Sequence, residues 1–397
     1  MAEFLPKFGW EPVFIAPSEN GYYGRPPRVD YGLLKLVRKY PICRIPLFSP
    51  FQNESLSLIA RSTRRLWEAI LPPDSRIVWN IAIKRELDVI IKNHKPDIVF
   101  ITGTPFSSFL LAPHIKKEYD LPVILDYRDP WSGNPEMERT FLRKKTNLYF
   151  EKKALKAADL VTTASYHMID FIKEAIGESV QSKIFYGFPY GFNREFLCRE
   201  IQLISHFETS KKIIGTFAGS VHGNIDVNII LSAIKSAIDK EHRLAGTLEI
   251  NCYGTLFGCS NKPDILIAKY GLEENVKIFP FLPYIDFLKI LSGSSFLILP
   301  HGVSPLAKVL YPTKFFDYLG LKRPILYIGG KGQVWETIQQ CVAGVCVKPD
   351  PLEIAESLIT LSDNWNTENW YTNEQIYQQF NRSNIFNAFC KRLENLI

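Results

Sequence analysis

The sequence predicts an α/β protein built from two Rossmann-like units, each a parallel sheet flanked by helices. Three observations carry that expectation. Short, almost wholly apolar strand segments alternate with segments of helical period, as in parallel sheets covered on both faces. The alternation stops in the irregular stretch 187–212 and then starts again. A length of 397 residues suits two domains rather than one.

Taken in order, 13–16 is a short apolar strand ended by Pro17, and 18–28 is a polar loop containing Gly and Pro. Residues 42–46 read as a second strand. Residues 56–70 have helical spacing, with Arg61, Arg64 and Arg65 on the polar side. A helix over 79–94 places Ile83, Leu87 and Ile90 on one face. Pro96 and Asp97 introduce a strand at 98–102, and 123–126 is another. Residues 141–158 are helical, 160–165 a strand, and 184–186 the last strand of this half. After the boundary come a strand at 213–217, a helix at 225–240 and a strand at 247–253. Strands at 276–279, 296–299, 325–328 and 345–347 complete the second set. A helix covers 351–361, and the tail 372–397 reads as one or two more. The expected domains are 1–200 and 201–371, with 372–397 returning to the first.

Composition narrows the class. Apolar residues make up 46% and charged residues 22%, ordinary for a globular protein. No apolar run approaches bilayer-spanning length. The opening MAEFLPKFGWEP lacks the apolar core of a secretory signal. Seven Cys, an odd number without CxxC spacing, argue for reduced thiols in the cytoplasm and against a disulfide framework or a zinc site. Residues 1–200 hold 29 basic and 23 acidic residues, whereas the remainder holds 18 of each, so the whole net charge of +6 lies in the first half. That asymmetry fits an anionic partner or ordinary surface variation.

The stretch 312–330, PTKFFDYLGLKRPILYIGG, has the richest chemistry. Pro312 and Thr313 end a loop, with Thr313 as a suitable N-cap. A helix over 314–321 follows, Pro324 stops it, and 325–328 is a buried strand. A helix start presents unpaired N–H groups that suit a phosphate, and Lys314 adds a full charge there. Asp317, one turn on, suits hydrogen bonds from a sugar diol. A capped helix with a solvated Lys–Asp pair is the alternative reading of the same residues.

This stretch resembles the donor-binding segment of the GT-B glycosyltransferases of the retaining family 4, in the branch patterned P-x-K-x-[FY]-E-Y-L-A-x-G-[KR]-P-[IV]. Pro312, Lys314, Phe316, Tyr318, Leu319, Arg323 and Pro324 match. Asp317 stands where the family has Glu, and Val309 where many relatives carry a second Glu. DYRDPW at 126–131 resembles the same branch's D-[FY]-R-D-P-W, and TGTPFSS at 102–108 its P-x-S loop. The resemblance puts Asp126, Arg128 and Asp129 at the interdomain cleft, positioning the acceptor hydroxyl or the leaving diphosphate. A rigid turn pairing Arg128 with Asp129, with Trp131 over the core, is the other reading. EKKALKAADLVTTAS at 151–165 resembles a structural segment of the family.

In the second half, Gly219 and Ser220 of FAGSVHGN match a loop that approaches the diphosphate through backbone N–H groups. Tyr253, Gly254, Phe281 and Leu282 sit where relatives enclose the base, although both segments also read as plain turns. His301, followed by Gly302, is a candidate for the sugar pocket or an ordinary loop histidine.

The resemblance implies a metal-independent, retaining glycosyltransferase of hexosyltransferase type working in glycan or polysaccharide biosynthesis. It would take a nucleotide sugar as substrate, need no cofactor, and act on a glycan or lipid-linked acceptor. No Asp-x-Asp pair offers a metal site. Lys314 and helix-start N–H groups would stabilise the departing diphosphate, and Pro312 and Thr313 would line the donor site. The alternatives are a catalytically weakened GT-B-like binding protein or an epimerase of the same fold.

Residues 139–156, from Arg139 to Lys156, are basic and carry Phe141, Leu142, Leu148, Tyr149 and Leu155. They fit either an anionic membrane surface, as in a peripheral protein of the inner membrane, or a solvated helix face. No nucleic-acid module accompanies this charge. The resemblance also places a first strand and a Gly-rich loop ahead of Leu5, so the native product is expected to carry about 30 more N-terminal residues, the span of a strand, loop and most of a helix; a truly shortened, inactive relative is the competing reading.

Overall fold

The computed structural model describes residues 1–18, 39–47, 73–135, 137, 138, 140–177, 180–201, 212–218, 225–254, 263–367 and 369–397. The expected loop at 18–28 and helix at 56–70 therefore lie outside the described residues, save Ser18. The chain divides into two units, Met1–Pro189 with Phe386–Ile397, and Tyr190–Ile385.

In the first unit, β1 (Phe14–Pro17) and β2 (Ile42–Ile45) form a two-stranded parallel sheet. β3 (Val99–Gly103), β4 (Val123–Tyr127), β5 (Leu160–Thr163) and β6 (Phe185–Gly187) form a separate parallel sheet in that order. Every residue of β4 and β5 is buried, which is why these strands read as unbroken runs rather than alternations. Among the described residues, the helices α1 (Trp79–His94), α2 (Ala112–Tyr119), α3 (Phe141–Ala157) and α4 (His167–Ile176) accompany them. The sequence reading places no element at α2 or α4. α4 had a legible signal, since its buried Met168, Ile172 and Ile176 repeat every four residues.

The second unit is one six-stranded parallel sheet in the order β12-β11-β10-β7-β8-β9. Its strands are β7 (Ile213–Ala218), β8 (Leu248–Tyr253), β9 (Val276–Phe279), β10 (Phe296–Gly302), β11 (Ile325–Gly329) and β12 (Gly344–Val347). Helices α5 (Arg194–Ile201), α6 (Val227–Lys240), α7 (Tyr284–Ser292), α8 (Pro305–Val309), α9 (Thr313–Leu321), α10 (Gln333–Cys341) and α11 (Pro351–Asn364) cover it. One core cluster unites α6 and α11 with the sheet, and a second unites α5, α7, α9 and α10. Gly215 lets β7 approach β10 closely, because a Cβ there would lie 2.5 Å from the Phe296 ring.

Strand order reverses between β7 and β10, so the loops after their carboxyl ends flank a topological switch point, where open α/β sheets bind ligands. The last helix, α12 (Arg382–Glu394), begins in the second unit, and from Phe386 onward belongs to the first. There Phe389 stacks on Phe188 at 4.3 Å and Phe386 on Phe4 at 5.0 Å. No described helix is long and apolar enough to cross a membrane.

Candidate functional site

In the second unit the switch point gathers β7, β10 and the start of α9. α9 is capped by Pro312, not by Thr313. Pro312 is extended (φ −64°, ψ 136°), its carbonyl accepts the Phe315 N–H at 2.9 Å, and no side chain caps the helix. Proline's fixed φ and missing N–H suit it to the position just outside a helix, which makes Thr313 the first helical residue. Lys314 lies above the Phe217 ring at the end of β7, with Nζ 5.4 Å from the centroid. Burial lowers its pKa.

His301, at the end of β10, places Nε2 3.2 Å from the Leu310 carbonyl, ties the loop ahead of α9 to the sheet, and packs against Tyr327. A carbonyl only accepts, so this nitrogen carries the proton. Burial lowers the His301 pKa; the Leu310 and Ala307 carbonyls oppose that, and the Lys314 charge adds to it.

Asp317 is less open than a diol ligand would be. Its Oδ1 accepts the Tyr284 hydroxyl at 2.7 Å, and burial pushes its pKa up to about 6 against that hydrogen bond. Tyr284 follows the Phe281–Leu282–Pro283 turn and lies 33 residues before Asp317, a pairing that sequence reasoning missed. Val309 is buried. Tyr253 stacks on Phe279 at 4.7 Å, and Gly254 turns the chain with φ +112°, a conformation that favours glycine. Phe281 is exposed and Leu282 half-buried. Gly219 and Ser220 lie outside the described residues, as do His222, Gly223 and Asn224.

In the first unit, Asp126 is 1% exposed and its carboxylate is saturated. It accepts Thr102 Oγ1 at 2.9 Å, Thr162 Oγ1 at 2.6 Å, and Arg128 through Nε at 2.6 Å and Nη2 at 2.5 Å. Thr102, Asp126 and Thr162 are register partners on three adjacent strands, so the sheet itself lines them up. Arg128 also donates to the Phe188 carbonyl at 3.0 Å and lies over its ring. Arg128 thus pairs with Asp126, a partner that the reading of a turn pairing it with Asp129 did not name. The geometry suits Asp126 to hold Arg128 rather than to meet a substrate. Trp131 is fully buried and stacks on Phe106 at 5.2 Å. Asp159, in the 151–165 segment, binds Lys116 and the Val123 N–H, a structural arrangement.

Another carboxylate, which the sequence reading placed in a structural segment and not among the site candidates, is buried in this unit. Glu151 is fully buried on α3 and accepts the Ser132 N–H at 2.9 Å. Burial pushes its pKa up to about 7, opposed by Ser132 and by the nearby Tyr127 hydroxyl. It braces the loop that carries Arg128 and Asp129 against α3.

Residues 1–185 match the family model described as Glycosyltransferase Family 4. No curated protein sequence matches the chain. Many solved structures do. A glycosyltransferase from Rickettsia africae is 15% identical, with a TM-score of 0.60, over 100% of this chain and 92% of that one. Sucrose-phosphate synthase from Thermosynechococcus elongatus is 12% identical, with a TM-score of 0.60, over 98% and 99%. A structure described as trehalose-6-phosphate from E. coli bound with UDP-2-fluoro glucose is 10% identical, with a TM-score of 0.59, over 97% and 100%. The fold is GT-B, and the N-terminal portion matches a glycosyltransferase family.

Proposed function

We infer that the protein is a glycosyltransferase that moves a sugar from a nucleotide-sugar donor to an acceptor. The family match over 1–185 and the GT-B fold support the class. The observation that carries the site is Lys314, at a helix start that no side chain caps, beside the switch point of a parallel sheet. In this reading the diphosphate meets the α9 N–H groups and Lys314, and the charge on the anion favours the protonated lysine against the burial that lowers its pKa. Asp317 takes the ribose with the oxygen that Tyr284 does not occupy. Gly219 and Ser220 approach the diphosphate, and Tyr253, Gly254, Phe281 and Leu282 surround the base. Pro312, Thr313 and His301 shape the sugar side.

Transfer is largely electrostatic. The donor bond breaks as the departing diphosphate gains charge, and preorganised cations and N–H groups stabilise it. A retaining, front-face course without a metal or cofactor belongs to the same proposal. So do Arg128, steadied by Asp126, and Asp129 as acceptor-side groups. The acceptor is a glycan or lipid-linked molecule, and the protein works in the cytoplasm, in peripheral contact with a membrane.

Incubation with a panel of nucleotide sugars, following nucleotide release, tests the class. Lys314→Ala should lower turnover by about 10²- to 10³-fold, the scale for one oxyanion-type contact, with a smaller loss of donor affinity. Wild-type turnover in that variant would refute the role of Lys314. A binding protein is the second reading, favoured by Val309 and by the Tyr284–Asp317 bond. Donor binding without any nucleotide release would select it.

A further inference from the structure

α3 carries large apolar side chains on the side that should be wholly polar. At 100° per residue, Phe141, Leu142, Lys145, Tyr149, Lys152, Lys153 and Lys156 fall within an arc of about 120°. The buried Asn147, Glu151, Ala154 and Leu155 lie on the opposite side, against the unit's core. Phe141 is 72% exposed, Leu142 75% and Tyr149 63%. Lys145, Lys153 and Lys156 are exposed beside them, and Lys152 is half-buried. Lys145 Nζ lies 4.5 Å from the centre of the Phe141 ring. The helix's one acid, Glu151, is turned inward, and Lys144, which faces Glu138 at 3.8 Å, lies outside the arc. Lys183 reaches the Lys156 and Ala158 carbonyls, adding a cation at the helix end.

Solvated helix faces do not usually hold three large apolar side chains, and apolar residues clustered at a surface mark an interaction site. We propose that this outward face of α3 docks on an anionic lipid bilayer. Aromatic and leucine side chains enter the headgroup boundary, while lysine stems lie along it with their ammonium groups at the lipid phosphates. A second copy of the chain is a poor occupant, because a two-fold contact would set these lysines against their own copies. A convex helix surface without acids suits a plane of negative charge better than a groove-binding peptide. The inner face of the same helix braces the 128–135 loop through Glu151, so lipid contact would steady Arg128 and Asp129 from behind. That the acceptor is itself lipid-borne rests on the glycosyltransferase reading; the docking does not.

The test is sedimentation of the full chain with vesicles of phosphatidylcholine, alone or mixed with phosphatidylglycerol. Binding should require the anionic lipid and weaken as salt is raised. Each lysine near the surface contributes about 1 kcal/mol, or about fivefold, so K145Q/K152Q/K153Q/K156Q should bind about 10²- to 10³-fold more weakly. Phe141→Ser with Leu142→Ser should also weaken it. Tyr149→Trp should add a blue shift of indole emission on anionic vesicles that wild type lacks. Nucleotide release in solution should be unchanged in the lysine variant, which separates failure of the docking from failure of the enzymatic reading. Equal recovery on both vesicle types, undiminished binding of the lysine variant, or no added blue shift in Tyr149→Trp would overturn the proposal. A dimer in sedimentation velocity that Phe141→Ser and Leu142→Ser abolish would also overturn it, and would assign the face to protein contact.

Discussion

Lys314 and Asp317 stand three residues apart on α9 and meet different surroundings. Lys314 lies over an aromatic ring at the end of β7, whereas Asp317 is bonded to Tyr284 at the start of α7. If Asp317 contacts the donor ribose, Asp317→Asn should weaken nucleotide-sugar binding by about tenfold or more, the scale of hydrogen bonds to a charged group. Tyr284→Phe should change it less, since it frees an oxygen rather than removing the carboxylate. Calorimetric titration reads both. Equal affinity in Asp317→Asn and wild type would reduce this pair to a structural tie. Both residues were visible in the chain, but their pairing was not. A side-chain bond across 33 residues leaves no local pattern to read.

Among the elements, α3 and the 128–135 loop are joined by a buried carboxyl. The Glu151 pKa is about 7 in the folded chain against 4.5 ordinarily, so between these values the folded state holds a proton that the unfolded state has lost. Stability therefore falls as pH rises through that window and stays lower above it. The shift corresponds to about 3 kcal/mol. Glu151→Gln should remove the slope, so its advantage over wild type in urea unfolding grows from about pH 5 to about pH 8. An unchanged slope would mean that the carboxyl is ionised in its buried site. Asp317, raised to about 6, contributes a slope of the same sign at lower pH. The segment of α3 was legible as a helix, but which of its faces met the core was not. Apolar residues occupy both faces, so the 3.6-residue period selects neither.

For the molecule as a whole, the proposed reading puts the donor site in the second unit. A nucleoside diphosphate at about 100 times its Kd should add about 2.7 kcal/mol to whatever binds it. Hydrogen exchange should then slow most in β7, in β10 and at the start of α9. Protection confined to residues 126–131 and α3 would move the donor to the first unit and overturn this assignment. The match over residues 1–185 does not decide this point, because it ends before β7 begins.

Some of this was settled by the chain before it folded. Runs such as 123–125 and Ile325–Gly329 are apolar at successive positions, which a strand buried on both faces tolerates. Pro312 and Pro324 bracket α9 through their own backbone geometry. These are local consequences of side-chain and backbone chemistry, so spacing alone carries them. The partner of Arg128 was decided elsewhere. Asp129 and Asp126 are both close to it in sequence. Parallel register sets Thr102, Asp126 and Thr162 in one row, where two hydroxyls and a guanidinium fill a single buried carboxylate. The outward turn of Phe141, Leu142 and Tyr149 was likewise decided by what α3 packs against, because burial depends on neighbours that only the assembled sheet supplies.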